Sequence, residues 1–146
     1  MFTPAELLEI NKLLTPEHKI VILTHYNPDG DAIGSSLGLK HYLKAKGIHA
    51  EVIVPNDFPK FLKWMPEAKK VLIADYKRKV ASDLIYDADV IFCLDFNAPS
   101  RIGILGDWLT NSRAKKILID HHQQPEKFDF VYSDTVIPAT CQMVYH

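Results

Sequence analysis

Six short runs leave this chain little choice of fold. Residues 20–23, 51–54, 71–74, 90–94, 117–119 and 128–132 are apolar or nearly so, and most are separated by stretches with helical spacing. A strand buried on one face alternates apolar and polar residues, whereas one covered on both faces reads as an almost continuous apolar run. The pattern therefore predicts an α/β domain built on a mostly parallel sheet with helices on both faces. Ligands of such sheets bind beyond the carboxyl ends of the strands.

The stretches between the runs carry helix signals. Thr3-Pro-Ala-Glu6 has the form of a capping box with Pro at the first helical position, and Leu7, Ile10 and Leu14 continue it. A helix opening near Asp31 places Ile33, Leu37, His41 and Tyr42 at helical spacing and ends before Gly47. Gly34 and Gly38 inside it imply close backbone packing or an approaching ligand. Residues 58–66 read as a short apolar helix or lid, with Phe61, Leu62, Trp64 and Met65 expected in the core. Residues 77–86 predict a helix with Val80, Leu84 and Ile85 inward, and residues 99–109 one with Ile102, Leu105 and Trp108 on one face. Residues 139–145 start a last helix.

Composition narrows the chemistry. A 146-residue chain, 47% hydrophobic and 24% charged, suffices for one domain with a sizeable core. A net charge of -1 gives no general attraction for nucleic acid or membrane, so an anionic substrate needs a local patch or metal ions. The basic clusters at 44–46, 77–79 and 113–116 read as solvated faces, and His18, His41, His49 and His146 as surface or partly buried residues. Two cysteines far apart suggest no disulfide framework. No signal-peptide pattern opens the sequence and no apolar run approaches membrane-spanning length, so a cytoplasmic protein without membrane contact is expected.

The strand ends carry the chemistry. His25, Asp95, Asp120-His121-His122 and Asp134 follow four different runs, and Asp29 and Asp31 share the turn after the first. Carboxylates brought this close repel one another unless cations lie between them. Two divalent ions would neutralise them and take imidazoles as further ligands; with so many carboxylates and no cysteine expected nearby, the donor set leans to Mn²⁺. Such a pair clamps the oxygens of a phosphoryl displacement. No phosphate-binding Gly loop, CxxC pair or dinucleotide fingerprint competes.

His25-Tyr-Asn-Pro-Asp-Gly-Asp-Ala-Ile-Gly-Ser, Leu94-Asp95, Asp120-His121-His122 and Asp134, in this order, resemble the four motifs of the DHH phosphoesterase superfamily. Within it the chain is most similar to the bacterial oligoribonuclease/3′-phosphoadenosine 5′-phosphate phosphatase subfamily. The resemblance implies that His25 and Asp29 bind one metal, that Asp31, His121 and Asp134 bind the other, and that Asp95 bridges both. It further implies that His122 faces the scissile phosphate, that Asp120 orients an imidazole, and that Asn97 and Arg101 lie on the substrate side. Arg101 reads equally well as a surface residue early in a helix.

Members normally continue into a smaller substrate-binding domain. A chain of residues 1–146 ending at His146 is thus expected to be a truncated catalytic domain, whose uncovered apolar face would favour a homodimer. The expected activity is hydrolysis of short oligonucleotides or nucleoside 3′,5′-bisphosphates by a metal-bridged hydroxide. The alternatives are a manganese inorganic pyrophosphatase and a non-catalytic metal- or nucleotide-binding module.

Overall fold

The computed structural model of the chain describes residues 2–121 and 128–146. Strands β1 (Ile20–Leu23), β2 (Ala50–Val54), β3 (Leu72–Ile73), β4 (Val90–Leu94), β5 (Lys115–Asp120) and β6 (Phe130–Ser133) form one sheet in the order β3-β2-β1-β4-β5-β6. Every pairing is parallel, so all six carboxyl ends lie along one edge. The chain runs outward from β1 to β3 on one side, then crosses back to β4 on the other. Ile20 accordingly lies opposite both Ala50 and Val90. A crevice opens where the winding changes direction, beyond β1 and β4.

The runs are continuous because alternate residues feed two cores. Ile20, Ile22, Val52, Phe92 and Ile117 pack on one face with α1 (Pro4–Leu13), α2 (Gly30–Ala45) and α5 (Thr140–Tyr145). Val21, Leu23, Ile53, Ile91 and Leu118 pack on the other with α3 (Arg78–Asp87) and α4 (Leu105–Asn111). Each fully buried aliphatic side chain contributes about 1.5–3 kcal/mol, so both faces are needed to hold the sheet. The first helix opens as expected: Thr3 N donates to Glu6 Oε2 (2.7 Å) and Glu6 N donates to Thr3 Oγ1 (3.2 Å).

Three helical expectations change. Residues 99–109 are not one helix but a 3₁₀ turn, Pro99–Ile102, followed by α4. Gly103 separates them at φ 58 and ψ -134, a conformation that glycine alone takes without strain. Leu109, rather than Trp108, joins Ile102 and Leu105 in the buried core. In α3, Val80 faces solvent, and Ala81 takes the inward position one turn before Ile85, with Leu84 packed at the margin.

Residues 58–66 hold only one 3₁₀ turn, Lys60–Leu62. Phe58 and Leu62 are buried, while Phe61 and Trp64 are exposed. A single turn presents its apolar residues to more than one side, so the expected core packing holds for half of them. Gly34 is explained by close approach: a Cβ there would lie 2.9 Å from Cys141 Sγ, which lets α5 settle on α2.

Glu67 closes this segment in the left-handed region (φ 67) and joins it to α2. Its carboxylate pairs with Lys44 (2.7 Å) and with the buried Lys40 (3.2 Å). Hydrogen bonds from Lys44 and then Lys40 hold the Glu67 carboxyl at about 2, against an ordinary 4.5. A depressed carboxyl contributes stability that is present above its unfolded value and lost as pH falls through the folded one. Thermal melts from pH 5 to about pH 2 should therefore fall less steeply for Glu67→Gln than for the parent. Equal slopes would show that these pairs carry no acid-sensitive stability.

Candidate metal centre at the carboxyl edge

His25 and Asp95 lie just beyond β1 and β4, Asp120 is the last residue of β5, and His121 follows it. Asp29 caps α2, its Oδ1 accepting from Ala32 N at 2.9 Å. This puts Asp31 in the first helical turn, facing the sheet edge. Asp95 sits at φ 64, a region Asp tolerates better than most residues, and its N–H donates to Ile119 O at 3.1 Å. That turn directs the carboxylate back over the end of β4.

The resulting cluster is two triads that share Asp95: His25, Asp29 and Asp95, and Asp31, Asp95 and His121. Asp95 is buried, and its oxygens face opposite ways. Oδ2 lies 3.2 Å from His25 Nε2, and Oδ1 lies 3.2 Å from His121 Nε2. The outer members are close behind, with His25 Nε2 3.7 Å from Asp29 Oδ1 and His121 Nε2 3.6 Å from Asp31 Oδ2. His25 Nδ1 is 2.7 Å from the Tyr26 carbonyl, which commits it as the donor and leaves Nε2 to offer a lone pair when the ring is neutral.

Burial pulls the His25 imidazole down, but the hydrogen bond and charge of Asp95, with the Tyr26 carbonyl and Asp29, hold it above its ordinary value. In each triad an imidazole nitrogen faces two carboxylates, the place a cation would take. Two carboxylates and an imidazole nitrogen, converging on a partly buried point, are a donor set suited to a divalent ion.

Sequence reasoning missed the support supplied by α5. Thr140 N and Cys141 N donate to Asp31 Oδ2 (2.8 Å) and Oδ1 (2.7 Å), and Thr140 Oγ1 donates to Asp95 Oδ1 (2.9 Å). Burial raises the Asp31 carboxyl, yet the Cys141 and Thr140 N–H groups outweigh it and lower it. The expectation of no neighbouring cysteine is corrected: Cys141 Sγ lies 3.3 Å from Asp31 O. Burial, then Asp31, pushes that thiol up to about 12, and it donates to the Asp31 carbonyl. These partners are more than a hundred residues from Asp31, and no local motif signals them.

Other expected site residues are placed differently. Asp134 belongs to neither triad; its Oδ1 accepts from Val136 N at 2.9 Å, which turns the carboxylate onto its own loop. Asp134 N still donates to Asp120 O at 3.2 Å, so its backbone borders the cluster. Asp120, the last residue of β5, is fully buried. Arg101 is exposed, and its carbonyl accepts from Tyr26 N at 3.0 Å, fixing its turn beside the His25 loop. Asn97 is half-buried in the loop after β4. His122 lies outside the described residues. Among the described residues, no helix is long and apolar enough to cross a membrane.

Residues 19–146 match the DHH family, N-terminal domain. The bifunctional oligoribonuclease and PAP phosphatase of Thermus thermophilus is 36% identical over 130 residues, which cover 88% of this chain and 36% of that protein. The cyclic-di-AMP phosphodiesterase of Listeria monocytogenes is 24% identical over 149 residues, covering 92% of this chain and 22% of that one. The crystal structure of an exopolyphosphatase-related protein from Bacteroides fragilis superposes with a TM-score of 0.94 at 46% identity, over 98% of this chain and 42% of that one. The chain thus spans well under half the length of each.

Proposed function

Since this chain belongs to the DHH family, we propose that its carboxyl-edge cluster is the two-metal centre of a phosphoesterase acting on short oligonucleotides or nucleoside 3′,5′-bisphosphates. One observation carries the reading: the two oxygens of buried Asp95 each face a separate His–Asp pair at 3.2 Å. A carboxylate so placed suits a bridge between two cations. His25 and Asp29 would hold one and Asp31 and His121 the other, and the predominance of carboxylates among these donors leans to Mn²⁺. Bound there, the ions acidify water and neutralise charge on a phosphoryl group.

The chain's own residues do the rest. The Tyr26 carbonyl keeps the His25 ring in one orientation, and the α5 N–H groups hold Asp31 ionised and aimed. Asp120, buried behind His121, is suited to orient an imidazole, and Arg101 stands at the rim with a fixed charge for a substrate phosphate. By the family motif, Asp134 completes the second metal's ligands after a turn of its side chain, His122 faces the scissile phosphate, and Asn97 contacts substrate. A further substrate-gripping domain is part of this proposal, since the matched stretch is 36% and 22% of the length of two relatives.

Hydrolysis assays with saturating Mn²⁺ test the reading on a dinucleotide, on phosphoadenosine phosphate and on pyrophosphate. Turnover of either nucleotide well above that of pyrophosphate is expected. Pyrophosphate as the sole substrate would make the chain a pyrophosphatase, and no turnover with tight nucleotide binding would make it a binding module.

A further inference from the structure

Phe58, Lys60, Phe61, Lys63 and Trp64 interleave aromatic and basic residues along the segment that leaves the carboxyl end of β2. Phe61 is 72% exposed and Trp64 77%, although large aromatic rings gain most from burial. The segment that presents them is held at both ends. Asn27 N donates to Asn56 Oδ1 and Asn56 Nδ2 donates to Asn27 Oδ1, both at 2.7 Å, which latches the segment's start to the His25 loop. Asp57 accepts from Lys63 Nζ (2.7 Å) and Tyr76 Oη (3.2 Å). At the far end Glu67 is fixed by Lys40 and Lys44. Leu62 packs against the turn between Asp29 and Asp31, its Cδ2 only 3.9 Å from where a Cβ on Gly30 would stand. The two rings therefore project from a segment tied at both ends, whose Leu62 lies beside the turn that carries Asp29 and Asp31.

We propose that Phe61 and Trp64 are a base-stacking platform for a single-stranded oligonucleotide whose scissile phosphate lies at the Asp95 cluster. This rests on the phosphoesterase reading and adds the group that selects nucleotides over simple phosphates. The exposed Lys60 supplies charge for the backbone, which the Asp-rich edge alone would repel. Exposed aromatics serve protein interfaces as well as single-strand grooves, and it is the interleaved lysines, depleted in the former and required in the latter, that favour a nucleic-acid strand here.

The test measures binding of the Mn²⁺-loaded chain to a ribotrinucleotide and to an abasic trimer of equal charge, by Trp fluorescence and calorimetry. Hydrolysis of the trinucleotide and sedimentation are followed in parallel. Trp64→Ala is expected to weaken trinucleotide binding about tenfold, and the Phe61→Ala/Trp64→Ala pair about 100-fold, with Trp64→Tyr close to the parent. Affinity for the abasic trimer should not change in any variant. Trinucleotide binding and cleavage unaffected by the double variant would overturn the platform and leave the phosphoesterase reading intact. So would a shift in self-association without a change in nucleotide affinity, which would assign the rings to a second copy. A parent that neither binds nor cleaves the trinucleotide overturns both.

Discussion

Asp95→Asn is expected to lower Mn²⁺ affinity more than about 100-fold and turnover at least about a thousandfold, roughly 4 kcal/mol of barrier. Loss of a group that merely orients a metal ligand typically costs 10–100-fold in affinity, and in the proposed centre Asp95 would touch both ions itself. Asn suits the test because it also tolerates the left-handed backbone at φ 64 and keeps the side chain's shape. The fold should survive, and helical content by circular dichroism should match the parent. His122→Ala is the control: it should spare metal affinity and reduce turnover. Equal affinities in the parent, Asp95→Asn and His122→Ala, by calorimetric titration, would remove Asp95 from its bridging role.

Gly106→Ala should be the most damaging conservative change for stability. A Cβ there would meet the Pro99 carbonyl oxygen at 2.3 Å and its carbon at 3.0 Å, and backbone cannot swing aside as a side-chain end can. Overpacking of this kind costs about 3 kcal/mol, against less than about 1 kcal/mol gained in helix propensity. The net loss of about 2 kcal/mol lowers the melting temperature of a chain of this size by about 4–8 °C. Gly38→Ala makes the comparison sharp. That position lies within α2, is exposed, and has nothing within 4 Å of an added Cβ, so the same substitution should stabilise by up to about 1 kcal/mol. Melting curves of both variants that shift alike would refute the packing argument.

These two sites differ in how far the sequence announced them. Asp95 was legible because it ends an apolar run, and in a parallel sheet that alone assigns it to the ligand edge. His25, Asp29, Asp31 and His121 were legible for the same reason, and the structure brings all four around Asp95. Gly103 and Gly106 both stood inside residues 99–109, where two glycines are a signal against one uninterrupted helix. That signal lost to the apolar spacing of Ile102, Leu105 and Trp108.

Thr140 and Cys141 were illegible because their partner Asp31 is remote in sequence and they hold its carboxylate through backbone N–H groups, which any residue but proline could supply. Asp134 stands apart from the triads for a local reason. The strand-end rule brought it to the edge, but a nearby Val136 N–H competes for its carboxylate. Phe61 and Trp64 show the limit of periodicity: a single 3₁₀ turn is too short for spacing to say which aromatic faces in.

The most direct test of the central claim is metal stoichiometry. The chain, stripped with chelator, reloaded with Mn²⁺ and freed of excess ion, should contain close to two equivalents by elemental analysis, and Asp95→Asn markedly fewer. Less than about half an equivalent in the folded parent would contradict the assignment of His25, Asp29, Asp31, Asp95 and His121 to a two-metal centre.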